Sequence, residues 1–452
     1  MVTIDLGLSE AVTRFVSKYR AENNIEGIKN FLGITYKIFI ISALIFLLFL
    51  SVVYLNLDNI FLKLSSDEIE KVKVLLVIAG FYAAVSFPFQ SLDGLLVSGE
   101  WFIFQKSTQL FSKVLNVMLM VVALLLGYGL YSLVVVSAIS GIIVIALKFF
   151  FLYKNDNYSI EWKGFDRNLA RELFSFSAWI MVIKLAQRFI TNISPSILGI
   201  TSGSREIAIF SASLTIEGYV YTLSTVLGSM LLPKISQLIY GDKADSAVIQ
   251  ALMIKVGRIQ FVMLSGIISI FIMVGRDFFL NWLGTDFEKS YYVAVLLVLP
   301  GLITIPQQIA STTLVAINKV KFDAYSRLII MVISIVLSYF LSFRYGAIGS
   351  GIAIFCGNVI GGVLVLNIVY SRILKINVWV FFRKCQLSMA MPFVLVILTG
   401  MALNYLITDI SWINTIAKIT FLFMIYTFST YFFALNSFEK GLLSGVFKRR
   451  NE

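Results

Sequence analysis

Twelve long apolar stretches constrain the fold of this 452-residue chain more than any other feature. They lie at roughly 33–55, 74–98, 108–128, 131–153, 173–200, 206–232, 258–275, 291–316, 326–343, 347–370, 388–406 and 413–436. Each is long enough to cross a bilayer as a helix, which takes about 20 residues. A lipid-facing backbone must satisfy its own hydrogen bonds, and the stretches lack the alternation of barrel strands. The sequence therefore predicts an all-α polytopic membrane protein, with a weaker thirteenth helix at 1–20.

The composition excludes several classes of chemistry. The chain contains no histidine, which rules out histidine general bases, histidine metal ligands and nucleophile–histidine dyads. Its two cysteines, Cys356 and Cys385, fall on different predicted elements and have no metal-ligand spacing. The net charge of +12 is spread over short segments between apolar stretches, so membrane topology explains it better than nucleic acid does. We predict no metal, no cofactor and no nucleic-acid partner.

The basic residues are distributed unequally between alternate loops. One set of loops, which includes Arg258 and Arg327 at loop edges, contains 23 Lys and Arg residues together with the C-terminal tail, whereas the other set contains 7. Loops rich in Lys and Arg stay on the cytoplasmic side of a membrane. The first set and the C-terminus are therefore predicted to be cytoplasmic, and residue 1 is predicted to lie near the opposite face.

An internal repeat appears when the two halves are shifted by 218 residues. The shift pairs Pro88 with Pro306 and Gln90 with Gln308, and eight identities occur in the 32 positions from 88 to 119. Six helices per repeat predict two parallel lobes around a central cavity, followed by two extra helices. The span at 173–200 has no counterpart in the first half. The repeat therefore predicts that a first helix is absent from this chain, through a misassigned start or a truncation.

These observations predict five segments along the chain. They are an N-terminal lobe at 1–153, a cytoplasmic linker at 154–172, a C-terminal lobe at 173–370, an extra helix pair at 388–436 and a basic tail at 437–452.

Three segments resemble a known family, the polysaccharide transporters of the multidrug/oligosaccharidyl-lipid/polysaccharide exporter superfamily. The segment from Asp5 to Tyr19 resembles the second helix of that family, Ile207 to Ala212 the start of the eighth, and Gly275 to Gly284 the outer motif after the ninth. One departure concerns the seventh helix, because many relatives carry an aspartate where this chain has Asn192 to Ser196. A coupling role for that acid therefore cannot be transferred.

The resemblance implies a function. It implies a flippase of the bacterial inner membrane that moves an undecaprenyl-pyrophosphate-linked oligosaccharide, such as an O-antigen or capsule repeat unit, from the cytoplasmic to the periplasmic leaflet by alternating access. The implied partners are the lipid-linked oligosaccharide, membrane lipids, and a glycan polymerase and chain-length proteins.

Ionisable side chains within the spans mark the candidate sites, because each costs roughly 2.5–3.5 kcal/mol at a helix centre. Lys184 and Arg188 lie one turn apart on the span at 173–200 and share a polar face with Ser177 and Asn192. Cations in a cavity of low dielectric suit a pyrophosphate, and arginine can bind its oxygens with two donors. We therefore predict Lys184 and Arg188 as substrate-binding residues.

Two further residues are candidate site residues, and each also has an alternative, structural role. Glu217 lies about halfway along the next span and is predicted to couple transport to a proton or cation, unless it forms a structural ion pair with Arg188. Arg14 is predicted to contact substrate, unless its side chain extends to the cytoplasmic interface.

Three other functions remain open at this stage. A glycan polymerase or ligase of the same pathway would need a large outer loop, and every predicted outer loop has fewer than about 20 residues. A drug antiporter of the same superfamily should have an acidic cavity, whereas deep cations outnumber deep acids here. A peptidoglycan-precursor flippase shares the fold and the cations, and only its different motifs argue against it.

Overall fold

The computed structural model describes residues 8–57, 66–155, 161, 166–225, 235, 246–436 and 439–441. Helices account for nearly all of these residues, and no strand occurs among them, which confirms the all-α prediction. Within the described ranges, nine helices are long and apolar enough to cross a membrane, and a bent pair at Ile69–Ser86 and Pro88–Ser98 forms a tenth candidate. The chain is therefore a multi-pass membrane protein. Asp5, where the segment that resembles the family's second helix begins, lies outside the described residues, and so does most of the predicted basic tail.

The chain divides into two compact units. The first contains Met1–Met181 and Leu232–Asp242, and the second contains Val182–Leu231 and Lys243–Glu452. The helices of the first unit are α1 Leu8–Ala21, α2 Ile25–Leu55, α3 Ser66–Ser86, α4 Ser91–Ser98, α5 Phe102–Leu125, α6 Gly129–Asn155 and the beginning of α7 Arg167–Thr201. The division falls inside α7, so this helix contributes residues to both units.

The second unit contains the remaining helices. They are α8 Ser204–Thr225, α9 Ser246–Leu283, α10 Glu288–Val298, α11 Gly301–Thr304, α12 Gln308–Ala316, α13 Lys321–Gly357, α14 Leu366–Ile373, α15 Val378–Phe381, α16 Ala390–Leu406 and α17 Trp412–Ser429. A π-helical segment at Asn358–Val365 joins α13 to α14. The helix α13 is kinked at Gly346, whose φ is +56°, and the carboxylate of Glu206 accepts a hydrogen bond from the next backbone nitrogen, of Ala347, at 2.7 Å.

Close packing holds the weakly apolar helix α1 in the first unit. A Cβ atom added to Gly94 of α4 would lie 2.5 Å from the carbonyl oxygen of Ser9 and 2.8 Å from Val12. The hydroxyl of Thr13 donates a hydrogen bond to the Gly94 carbonyl at 3.3 Å. Only a glycine allows the two backbones to approach this closely. Contacts with its neighbours therefore compensate for the low hydropathy of α1.

The extra helix pair belongs to the second unit, where α17 runs antiparallel to α9. Four polar contacts connect this face of the unit: Arg258 with Glu439 at 2.6 Å, Ser265 with Tyr426 at 2.8 Å, Asp277 with Lys418 at 2.7 Å and Asn281 with Thr415 at 3.0 Å. Asp277 and Asn281 belong to the segment Gly275 to Gly284 that resembles the family's outer motif. In this chain, those two side chains bind α17.

Candidate functional site

The predicted polar face of α7 divides between the two units. Ser177 is buried in the first unit, whereas Lys184, Arg188 and Asn192 lie in the second. Lys184 is half-buried, and the side chain of Arg188 is exposed. Arg188 forms no ion pair with any residue that the structure describes. An exposed guanidinium within a span is stable only where it meets water, a headgroup or a polar ligand, because lipid chains cannot solvate it.

Glu217 is separate from Arg188 and lines a cavity of about 240 Å³ inside the second unit. Within the described part of the chain no ion pair joins the two residues, so the alternative of a structural bridge between them is not observed. Polar side chains from seven helical segments share the cavity wall. Those beside Glu217 are Gln187, Thr191, Tyr221, Thr304, Gln307, Gln308, Ser311, Arg327, Asn358 and Tyr370.

Two irregular helices supply several of these side chains. Pro300 and Pro306 divide one predicted span into α10, α11 and α12, and the second break places the amides of Gln307 and Gln308 at the cavity. The π-helical segment begins at Asn358, which also lines the wall. Broken helices in membrane proteins are tolerated where they line a cavity, and π-helical turns occur frequently at functional sites. The backbone itself therefore marks this cavity as a candidate site.

Several polar atoms at or next to the cavity lack a partner within the described chain. Gln307 is 1% exposed; its amide nitrogen donates to Asn367 at 2.9 Å, while its carbonyl oxygen accepts no hydrogen bond. Arg327 and Asp323 face each other at 3.7 Å, too far for a hydrogen bond, and both facing atoms are buried and unpartnered. Nearly all buried polar atoms in proteins are hydrogen-bonded, so such a group requires an explanation.

The first unit contains an equivalent network that is closed. Under the 218-residue shift, Asp93 corresponds to Ser311 and Gln105 to Asp323. Gln105 donates to Asp93 at 3.3 Å in the first unit, and Ser311 donates to Asp323 at 2.9 Å in the second. The same pair of positions is therefore hydrogen-bonded in both repeats. The acid occupies the first position of the pair in the first unit, as Asp93, and the second position in the second unit, as Asp323.

The cation differs between the two networks. In the first unit, Lys148 binds both carboxylate oxygens of Asp93 at 2.9 and 2.8 Å. In the second, Arg327 leaves the 3.7 Å gap to Asp323. Lys148 is not among the candidates predicted from the sequence, and Arg327 was expected to be a charge of a cytoplasmic loop. The conserved repeat register at Gln90 and Gln308 was the signal that could have directed attention to these positions.

Arg14 is buried in the first unit and does not extend to the interface. It is 2% exposed, and its guanidinium lies 3.5 Å from the carboxylate of Glu172 and 5.0 Å from the ring centre of Phe176. These contacts connect α1 to α7 by an ion pair and a cation–π interaction. Substrate contact by Arg14 stays a prediction, and any such contact would require the guanidinium to leave Glu172.

No group of three or more His, Cys, Asp or Glu side chains arranged to hold a metal ion occurs among the described residues. The cavity of the second unit instead combines one carboxylate, one guanidinium, amides and hydroxyls. This mixture supplies hydrogen-bond donors and acceptors together.

Comparisons with known proteins agree with this fold. Residues 101–292 match a family model described as a polysaccharide biosynthesis protein. No curated protein matches the chain. A MATE transporter of Vibrio cholerae has a TM-score of 0.69 and 13% identity, covering 82% of this chain and 86% of its own. Its bent form has a TM-score of 0.68 and 14% identity, covering 85% and 87%.

A third structure shares the same fold. It is a transporter of the MOP superfamily from Pyrococcus furiosus, described by the reverse polarity of its binding pocket, with a TM-score of 0.65 and 13% identity over 82% of this chain and 85% of that one. At these identities the similarity establishes the fold, and it confirms the fold class expected from the sequence.

Proposed function

We propose that this chain is a member of the polysaccharide transporters of the multidrug/oligosaccharidyl-lipid/polysaccharide exporter superfamily and a flippase for a lipid-linked oligosaccharide. The proposed substrate is an undecaprenyl-pyrophosphate-linked repeat unit, carried from the cytoplasmic to the periplasmic leaflet of the bacterial inner membrane. The observation that carries this proposal is the combination of a transporter fold with a match to a polysaccharide biosynthesis family. A glycan polymerase and chain-length proteins would receive the translocated product.

Arg188 and Lys184 are the proposed ligands of the pyrophosphate. The exposure of the Arg188 side chain supports this role, since its donors are not occupied by a described carboxylate. A guanidinium binds phosphate oxygens through two parallel hydrogen bonds, which a lysine ammonium cannot reproduce. Arg14 is proposed as a further contact that forms only after its pair with Glu172 opens.

Glu217 is the proposed coupling residue. Its carboxylate lines a polar cavity within a span, and no described cation is paired with it. A carboxylate in such a position is stable when neutralised by a proton or a bound cation. Uptake and release of that charge would provide a link between transport and an ion gradient.

The test of the function uses a strain that lacks this gene. We expect surface glycan to disappear and lipid-linked repeat units to accumulate on the cytoplasmic face, and the intact gene to restore display. Arg188→Ala should lower restored display by about tenfold or more at matched membrane levels, because it removes charged hydrogen bonds of about 1.5–3 kcal/mol. Arg188→Lys should restore it only partly.

Arg344→Ala is the matched control, since Arg344 is another exposed arginine in the second unit. It should leave display unchanged. Full activity of Arg188→Ala would refute the pyrophosphate contact. Single repeat units that reach the periplasm of the deletion strain without being polymerised would refute the flippase and indicate a polymerase or ligase.

A further inference from the structure

The cavity of the second unit has a chemistry that neither the pyrophosphate site nor a coupling acid explains. Gln307 presents an unpartnered carbonyl oxygen, and the Arg327–Asp323 pair is held open. Resting on the flippase function proposed above, we propose that this cavity is a subsite for one sugar residue of the glycan. Amides, hydroxyls and charged side chains lining one enclosed space are the groups that bind a polyhydroxylated ring.

The unpartnered atoms define what kind of ligand group fits. The Gln307 oxygen and the Asp323 oxygen are acceptors, whereas the Arg327 Nε–H is a donor. An inorganic anion would satisfy Arg327 and be repelled by Asp323, and a metal cation would do the reverse. A hydroxyl donates one hydrogen bond and accepts others, so it suits a wall that presents acceptors and donors together, as Gln307 and Arg327 do. A sugar carries several hydroxyls on a rigid ring.

The volume of the cavity limits the ligand to one ring. About 240 Å³ is available, which at roughly 30 Å³ per molecule corresponds to about eight waters. This space suits one pyranose with its hydroxyls, so the other rings of an oligosaccharide would lie outside it. Thr304 and Gly362 approach each other closely in one part of the wall. A Cβ atom on Gly362 would lie 3.3 Å from the Thr304 methyl.

The repeat provides an internal comparison. In the first unit the equivalent network is closed, because Lys148 occupies both oxygens of Asp93. A purely structural role for the second network would be served by the same closed geometry. The open geometry occurs in the unit whose broken helix and π-helical segment both contribute to the cavity wall.

The experiment uses the full-length protein in detergent and the oligosaccharide released by mild acid from the lipid-linked repeat unit of the host. This probe contains the sugars without pyrophosphate or lipid. Saturation-transfer NMR should show binding to the wild type. Asn358→Leu and Gln307→Met should each weaken it by about tenfold, the loss expected for ligand hydrogen bonds of about 1.4 kcal/mol.

Asn281→Leu is the matched control, because Asn281 is also a half-buried asparagine of the second unit and it binds Thr415 away from the cavity. It should bind the probe as the wild type does. Thermal unfolding of each variant identifies any that fail to fold. If a cavity variant does not fold, Thr304→Val replaces it, because this is the mildest substitution in the cavity wall.

Two results would overturn the sugar subsite. One is an absence of probe binding to the folded wild type, which would mean that the cavity holds water only. The other is binding that folded cavity variants retain in full, which would locate the sugar elsewhere. Failure of the flippase function has a different signature, since translocation would then continue in the deletion strain whatever the NMR result.

Discussion

Arg258 shows how one residue can determine the stability of this protein. Its guanidinium donates five hydrogen bonds, two to the Glu439 carboxylate and the others to the Lys384 carbonyl, the Ser388 hydroxyl and the Ala434 carbonyl. All five N–H groups are therefore satisfied. Burial is the largest single influence and raises the pKa of Glu439, but the hydrogen bonds from Arg258, the backbone hydrogen bond from Asn436 and the positive charge of Arg258 together lower it by more. The pKa of Glu439 therefore lies below the ordinary value of 4.5.

The direction of this shift predicts a pH dependence for the variant Glu439→Gln. A carboxylate with a lowered pKa stabilises the fold above its ordinary pKa, and the stabilisation is lost as the pH falls through the folded value. At neutral pH, Glu439→Gln should cost about 3 kcal/mol, since it leaves a buried arginine charge without its counter-ion. The difference in Tm from the wild type should shrink below pH 4.5.

The control for this prediction is Glu288→Gln. Glu288 also pairs with an arginine, Arg276, at 2.8 Å, but both side chains are exposed by 40% or more. Exposed pairs contribute about 0–1 kcal/mol, so this variant should change Tm little. A Tm difference for Glu439→Gln that stays constant from neutral pH to pH 4 would refute the assigned ionisation.

Residue-level prediction from the sequence depended on regular patterns along the chain. Helical spacing located Lys184 and Arg188 on one face of α7, and Glu217 was identifiable as an acid inside an apolar stretch. Arg258 and Arg327 were counted as loop charges, because such a count uses position along the chain alone. The partner of Arg258 lies 181 residues away, and no local pattern encodes that contact. Asp323 precedes Arg327 by four residues on α13, so helical spacing could have indicated this pair, although not the 3.7 Å gap between the two groups.

At the scale of the helices, Gly94 tests whether packing holds α1. Gly94→Ala should destabilise the protein by about 1–3 kcal/mol, because its Cβ atom would overlap Ser9 and Val12 of α1. Gly218→Ala in α8 is the matched control, since a Cβ atom there meets nothing within 4 Å. It should be neutral or stabilise by up to about 1 kcal/mol, the helix preference of alanine.

Thermal unfolding in detergent compares the two glycine variants. An equal effect of both substitutions would show that α1 is not held by its close approach to α4. Selective loss of stability in Gly94→Ala, together with faster proteolysis of the segment 8–21, would confirm that contact.

Helix existence was predictable from the sequence, whereas the breaks within helices were not. Long apolar stretches lead to helices because lipid leaves no other partner for the backbone. Pro88 and Pro306 interrupt their spans, but Pro195 lies inside α7 without ending it. Whether a proline breaks a span depends on which neighbours satisfy the freed carbonyl, and that information is tertiary. The π-helical segment at Asn358–Val365 was likewise not predictable from the sequence.

At the scale of the whole molecule, the repeat predicted correspondences that the two networks display. Asp93 with Gln105 and Ser311 with Asp323 occupy equivalent positions, yet the identities of the residues are exchanged. An identity count over the repeat scores these positions as mismatches. What the two repeats share is a hydrogen bond between the same two sequence positions, and a comparison of residue identities alone does not reveal it. Searches for repeats in such chains should therefore compare polar positions as pairs.

Orientation in the membrane is the last property that the whole sequence predicts. The loops with 23 Lys and Arg residues, and the C-terminus, should be cytoplasmic, and those with 7 should be periplasmic. In a chain with Cys356 and Cys385 replaced by serine, a maleimide that cannot cross the inner membrane should label Asp286→Cys in cells with a permeable outer membrane. Arg372→Cys should react only after lysis. Both native side chains are exposed, so accessibility within the fold is matched. The opposite labelling would show that the chain is inserted the other way round and would refute the orientation predicted from the basic loops.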